Sequence, residues 1–141
     1  MDINDLKKRL VITNNLDMEL IEQPMVFFEV ADAHAMAVAE RDTAEEALAR
    51  VDAEQDAIIR AYPEKTTEAA IKNKILLSEE HIEAVGVYLE KKKMAARLEG
   101  LRKAFEQRSP HIRDACRRAE SEYSAQTSFR PAREQFDRMG S

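Results

Sequence analysis

Apolar residues along this chain recur at helical spacing, and polar residues fill the positions between them. Ile3, Leu6 and Leu10 outline a short opening helix, Asn14-Asn15 a turn, and Leu16 to Ile21 a further turn or two of helix ahead of Pro24. Over residues 25–61 the positions Phe27, Val30, Ala37, Ala44, Leu48, Val51 and Ile58 keep a three-four rhythm, with His34, Arg41 and Gln55 in the same seam. This predicts one long helix with a mixed coiled-coil seam. Thr43-Ala44-Glu45-Glu46 has the form of a capping box, so the pattern also accommodates a restart there. Tyr62-Pro63-Glu64-Lys65-Thr66-Thr67 is the strongest punctuation: Pro63 disfavours helix at Tyr62, and Thr66 or Thr67 can cap the next helix.

A second long helix is predicted over residues 67–123. Ile71 and Ile75, then Ile82, Val85 and Leu89, then Met94, Leu98, Leu101, Phe105 and Ile112 give stripes that shift phase near Lys91-Lys92-Lys93, implying two neighbouring buried faces. At ~1.5 Å per residue the two long segments measure on the order of 55 and 80 Å. Such lengths suit an antiparallel hairpin that assembles with others. Pro110 predicts a kink or a fresh start with Ser109 as cap. After Tyr123 the periodicity fades, so residues 124–141 are expected to be a mobile tail or a short terminal helix beyond a single helical domain at 1–123.

Composition narrows the class to all-α. The 141 residues hold three Gly, four Pro and no Trp, and 35% are charged, which leaves little material for a deep core and favours apolar seams between helices and between copies of the chain. No apolar run approaches the roughly 18 residues that cross a bilayer, and the start lacks a basic then apolar leader. The expectation is a soluble, cytoplasmic protein with no membrane partner. The single cysteine, Cys116, cannot form an internal disulfide.

Charge is distributed unevenly. The whole chain carries a net charge of -5, yet residues 91–118 hold ten basic residues (Lys91, Lys92, Lys93, Arg97, Arg102, Lys103, Arg108, Arg113, Arg117 and Arg118) against three acids, Glu99, Glu106 and Asp114. A local surplus of this size suits a phosphate backbone, bound without base specificity and with steep salt dependence. Lys91, Arg102 and Arg113 recur every eleven residues on one stripe and Lys93, Arg97 and Arg108 form another. From charge alone, a solvated helix face paired with Glu40, Glu45 and Asp52 of the first long helix accounts for the run as well. Phe27, Phe28 and Phe105 belong to apolar stripes, which leaves Tyr62 and Tyr88 as candidates for stacking on bases.

Enzyme chemistry has no comparable signal. His34, His81 and His111 are scattered, and His111 with Cys116 has a spacing that does not share a helical face. Glu79 with Glu83 has no second set of ligands, and glycine-rich phosphate cradles are missing. A non-enzymatic binding and assembly protein without metal or cofactor is expected.

The order of these features, with Pro63-Glu64-Lys65-Thr66-Thr67-Glu68-Ala69-Ala70-Ile71-Lys72 and Leu98-Glu99-Gly100-Leu101-Arg102-Lys103-Ala104-Phe105-Glu106-Gln107-Arg108-Ser109, resembles the UvsY-like recombination mediator proteins of tailed bacteriophages over residues 3–119. The resemblance implies a small helical protein of DNA recombination and repair that forms rings. It also implies binding of single-stranded DNA and loading of a RecA-like recombinase onto strands covered by single-strand-binding protein. Family members can carry a Lys-x-Arg element near the end of the first long helix, of which Ala57-Ile58-Ile59-Arg60-Ala61 keeps Arg60. The alternative is a helical scaffold, adaptor or assembly protein of a phage, in which the basic stripe meets an acidic protein surface.

Overall fold

The computed structural model describes the backbone of residues 2–139 and the side chains of residues 2–126. Among the described residues all regular structure is helical, in the order α1 (Ile3–Lys8), α2 (Leu16–Arg60), α3 (Glu68–Leu77) and α4 (Glu79–Met139). None of these helices is long and apolar enough to cross a membrane.

Local chemistry sets most of the ends. The Asp2 carboxylate accepts from Asn4 N at 3.3 Å and caps α1, and Asn15 Oδ1 accepts from Met18 N at 3.3 Å at the start of α2. After Arg60 the chain leaves the helix ahead of Pro63, and Thr67, in extended backbone, caps α3 by accepting from Ala70 N at 3.2 Å. Both behave as the sequence predicts.

Three boundaries differ. Pro24 lies inside α2 rather than ahead of it, and Pro110 lies inside α4, so of the kink and the fresh start expected there the fresh start at Ser109 does not occur. Both prolines are exposed, while Gln23 and Val26, and then Arg108 and Ile112, are buried on either side of them. Packing therefore holds each helix through a position that local propensity disfavours. The second long helix is in turn divided at Ser78, whose extended backbone ends α3 and whose hydroxyl donates to Ile75 O at 2.6 Å and accepts from His81 N at 3.3 Å, so one side chain closes α3 and opens α4. Residues 124–139, expected as a mobile tail or a short terminal helix, continue α4, with side chains described only to 126.

The chain divides into two compact units. One is formed by Glu29–Arg102 and the other by Met1–Phe28 with Lys103–Ser141. In the Glu29–Arg102 unit, Asp52 meets His81 at 2.6 Å and Glu40 meets Lys91 at 3.0 Å, so ascending α2 means descending α4 and the pair packs as an antiparallel hairpin. Its seam is built from Val30, Ala37 and Ala44 at seven-residue spacing on α2 and from Ala95, Leu98 and Leu101 on α4, continued by half-buried Ala84, Tyr88 and Lys91. That seam holds one phase through the lysine run. Ile82 and Leu89, expected inside, are more than half exposed, and small or amphipathic side chains occupy the inward positions instead.

In the other unit Leu6 of α1 and Phe105 and Ile112 of α4 are fully buried, joined by Ile3 and Val26. Arg108 sits between Phe105 and Ile112 on the same inward face and is buried with Glu19 and Gln23 of α2.

Candidate nucleic-acid interface

The ten basic residues of 91–118 all lie on α4, but they do not form one class of side chain. In the Glu29–Arg102 unit, Lys91 is half-buried and donates to Glu40 at 3.0 Å, so its charge is partly used within the hairpin. Arg102 is half-buried too, and its Nε is enclosed without a hydrogen-bond partner among the described residues. Lys92, Lys93 and Arg97 are exposed and have no carboxylate partner among the described residues. Lys93 and Arg97 are one turn apart and share a face, while the Lys92 ammonium stands 6.0 Å from the centroid of the Tyr88 ring, the outer limit of a cation–π contact. Tyr88 is half-buried under that lysine, whereas Tyr62 is exposed at the turn after α2.

Arg60, at the end of α2, is exposed but occupied. Its guanidinium donates to both Glu68 oxygens at 3.0 and 2.8 Å and to Asp56 at 2.9 Å, and these carboxylates, Glu68 first, raise its pKa above the ordinary arginine value. In return, Arg60 holds the Glu68 carboxyl below its usual range. An exposed fork of this kind adds little stability, and it competes with any phosphate that would use Arg60.

Within the second unit, Lys103, Arg113, Arg117 and Arg118 are exposed. Arg117 lies 4.0 Å from Asp114, and Arg113 reaches Ser109 Oγ at 3.5 Å. Arg108 departs from the expected basic surface. It is 6% exposed, and its guanidinium donates to Leu10 O at 3.1 Å, Val11 O at 3.3 Å, Gln23 Oε1 at 2.5 Å and the Glu19 carboxylate. Glu19 also accepts from Thr13 N at 3.1 Å and Thr13 Oγ1 at 2.9 Å, and Gln23 Nε2 donates to Phe105 O at 2.9 Å. Arg108 thus fastens the loop between α1 and α2 onto α4 and is withdrawn from phosphate. Burial pushes the Glu19 carboxyl up, but the bonds from Thr13 and Arg108 outweigh it and hold the group below its ordinary value.

Composition and charge counts do not reveal this buried network. Its only signal in the sequence is spacing: Arg108 stands three positions after Phe105 and four before Ile112, and Glu19 and Gln23 extend the three-four rhythm that continues to Val26 and Val30. Phe28 is the opposite case, since the apolar stripe it belongs to suggests core and its side chain is exposed.

Of the acidic partners expected for the basic run, Glu40 engages Lys91 and Asp52 engages His81. Among the described residues no three His, Cys, Asp or Glu side chains gather as they would to hold a metal ion, and Cys116 is a half-buried free thiol. What α4 presents in the Glu29–Arg102 unit is a pair of cations, Lys93 and Arg97, on the face opposite the seam, with Lys92 on the flank over the seam residue Tyr88. The chain matches no known family, no curated protein and no solved structure.

Proposed function

We propose that this chain is a recombination mediator of the UvsY-like kind, a non-enzymatic helical protein that holds single-stranded DNA and helps load a RecA-like recombinase onto strands covered by single-strand-binding protein. Three exposed cations without carboxylate partners among the described residues, Lys92, Lys93 and Arg97, carry the proposal. A phosphate chain passing over them displaces condensed counterions and meets no internal ion pair that must first break. Because α4 is packed into the hairpin seam, Lys93 and Arg97 opposite it and Lys92 on its flank are displayed on a fixed support. Each contact is individually weak. Copies associated through exposed apolar residues such as Leu77 and Leu89 multiply those contacts, and a strand held this way can still be surrendered to a recombinase.

The test is fluorescence anisotropy of a labelled mixed-sequence oligonucleotide, single-stranded and duplex, over a range of salt. Binding should weaken steeply with salt, and the Lys92→Glu/Lys93→Glu/Arg97→Glu variant should lose it while remaining helical. If these three residues neutralise three phosphates, they account for about 2 units of the slope of log affinity against log salt measured for the unsubstituted chain on single strands. Absence of binding at low salt would refute the proposal, as would binding that ignores the triple substitution.

The exposed Leu76, Leu77, Ile82 and Leu89 also favour a second reading, a helical scaffold, adaptor or assembly protein. Under that reading Leu89→Glu alters the sedimentation of the protein and no oligonucleotide binds.

A further inference from the structure

The first turns of α2 expose an apolar stripe that none of the described residues of its own unit covers. Met18, Ile21, Met25 and Phe28 succeed one another at spacings of three, four and three, which places them on one side of the helix, and they are 44%, 69%, 65% and 66% exposed. The other side of the same turns is the one that buries Glu19, Gln23 and Val26. Amphipathicity here is therefore doubled: one face builds the unit, and a second face of four large apolar side chains is left in water.

The charge around the stripe determines what can cover it. Asp17 and Glu22 are exposed and, at 100° per residue, fall on opposite flanks of it. From Leu10 to Glu40 the sequence has six acids and no lysine or arginine. Phosphate-bearing surfaces, whether nucleic acid or anionic lipid, are repelled by such a rim, since helices that lie on membranes carry bases beside their apolar face. The same face of a second copy would set acid against acid. We infer that Met18, Ile21, Met25 and Phe28 form a docking surface for another protein, one that offers an apolar groove edged by lysine and arginine. The mode is a helix laid into a groove, with the apolar stripe supplying anchors and Asp17 and Glu22 pairing with the rim. This surface is independent of Lys92, Lys93 and Arg97, so either proposal can fail without the other.

Two fluorescent synthetic helical peptides with the same leucine face, one flanked by lysine and arginine and one by glutamate, serve as probes in anisotropy titrations with the full chain. The basic-flanked peptide should bind and the acidic-flanked one should not. Phe28→Glu should weaken the basic peptide by about ten-fold or more. That substitution adds negative charge, so unspecific attraction to an acidic protein would strengthen instead; Phe28→Ser, which adds none, should weaken binding too. Lys92→Glu/Lys93→Glu/Arg97→Glu should leave it unchanged. Equal affinity for both peptides, or indifference to Phe28→Glu and Phe28→Ser, would overturn the inference. So would sedimentation showing a dimer that Phe28→Glu dissolves, or phosphatidylglycerol vesicles that bind the chain through Phe28.

Discussion

Replacing Arg108 by methionine removes four donor contacts at once and keeps most of the side-chain volume. Leu10 O and Val11 O can turn toward water when the loop loosens, but Glu19 and Gln23 sit on the buried face of α2 and cannot. The Glu19 carboxylate is left with only its two bonds from Thr13, and Gln23 Oε1 loses its donor. Breaking a buried pair by removing one partner costs about 3–5 kcal/mol, against a total of roughly 5–15 kcal/mol for a domain of ordinary stability. The expected result is a large fall in the urea midpoint, monitored by circular dichroism at neutral pH. Glu19→Met/Arg108→Met, which removes both charges, should recover most of that loss. The pH dependence has a defined sign. Glu19 titrates below its ordinary value when folded, so its contribution is complete above the unfolded pKa of about 4.3 and is lost as pH falls through the folded one. The difference between wild type and Arg108→Met should therefore narrow below about pH 4. A cost under about 1 kcal/mol at neutral pH, with a gap that does not change on acidification, would refute the structural role of Arg108.

Two further substitutions separate local from tertiary effects. Ser78→Ala removes the acceptor for His81 N and the donor to Ile75 O, and should cost about 1 kcal/mol in the same urea measurement, whereas Thr66→Ala, which leaves the Thr67 cap intact, should cost much less. Gly86 and Gly100 lie inside α4 with nothing within 4 Å of an added Cβ, so Gly86→Ala and Gly100→Ala should each raise stability by about 1 kcal/mol; a loss at either would mean that the glycine serves a contact outside the chain.

What could be read from the sequence was whatever a short window determines. The seven-residue recurrence of Val30, Ala37 and Ala44 fixes the buried side of α2, and Pro63 with Thr67 after it marks the turn between helices. Failures arose where tertiary packing overrides a local preference. Pro24 and Pro110 read as interruptions, yet buried neighbours on both sides carry each helix through. Ile82 and Leu89 read as core because they are large and apolar, while the inward positions of that stretch are Ala84, Tyr88 and Lys91, a seam too small and too polar to register by hydrophobicity. Ser78 carries a legible cap signal in Glu79 and Glu80 after it, but the apolar positions run on across it and conceal the break. For the candidate interface, composition located the basic helix but could not sort its members. Only contacts distinguish exposed Lys93 from Arg108, whose partners lie more than 80 positions away in sequence.

The separation of Met1–Phe28 from Lys103–Ser141 by a self-contained hairpin imposes an order on biosynthesis. The opening segment leaves the ribosome with Leu6 and Val26 uncovered, because Phe105 and Ile112 have not yet been made. It must wait while the 74 residues from Glu29 to Arg102 are translated, about 4 to 15 s at ordinary elongation rates. During that interval the hairpin, whose partners are nearer in sequence, can close first, and the Arg108 bonds to Glu19 and Gln23 then act as the late fastening of a unit whose two segments flank that hairpin in sequence.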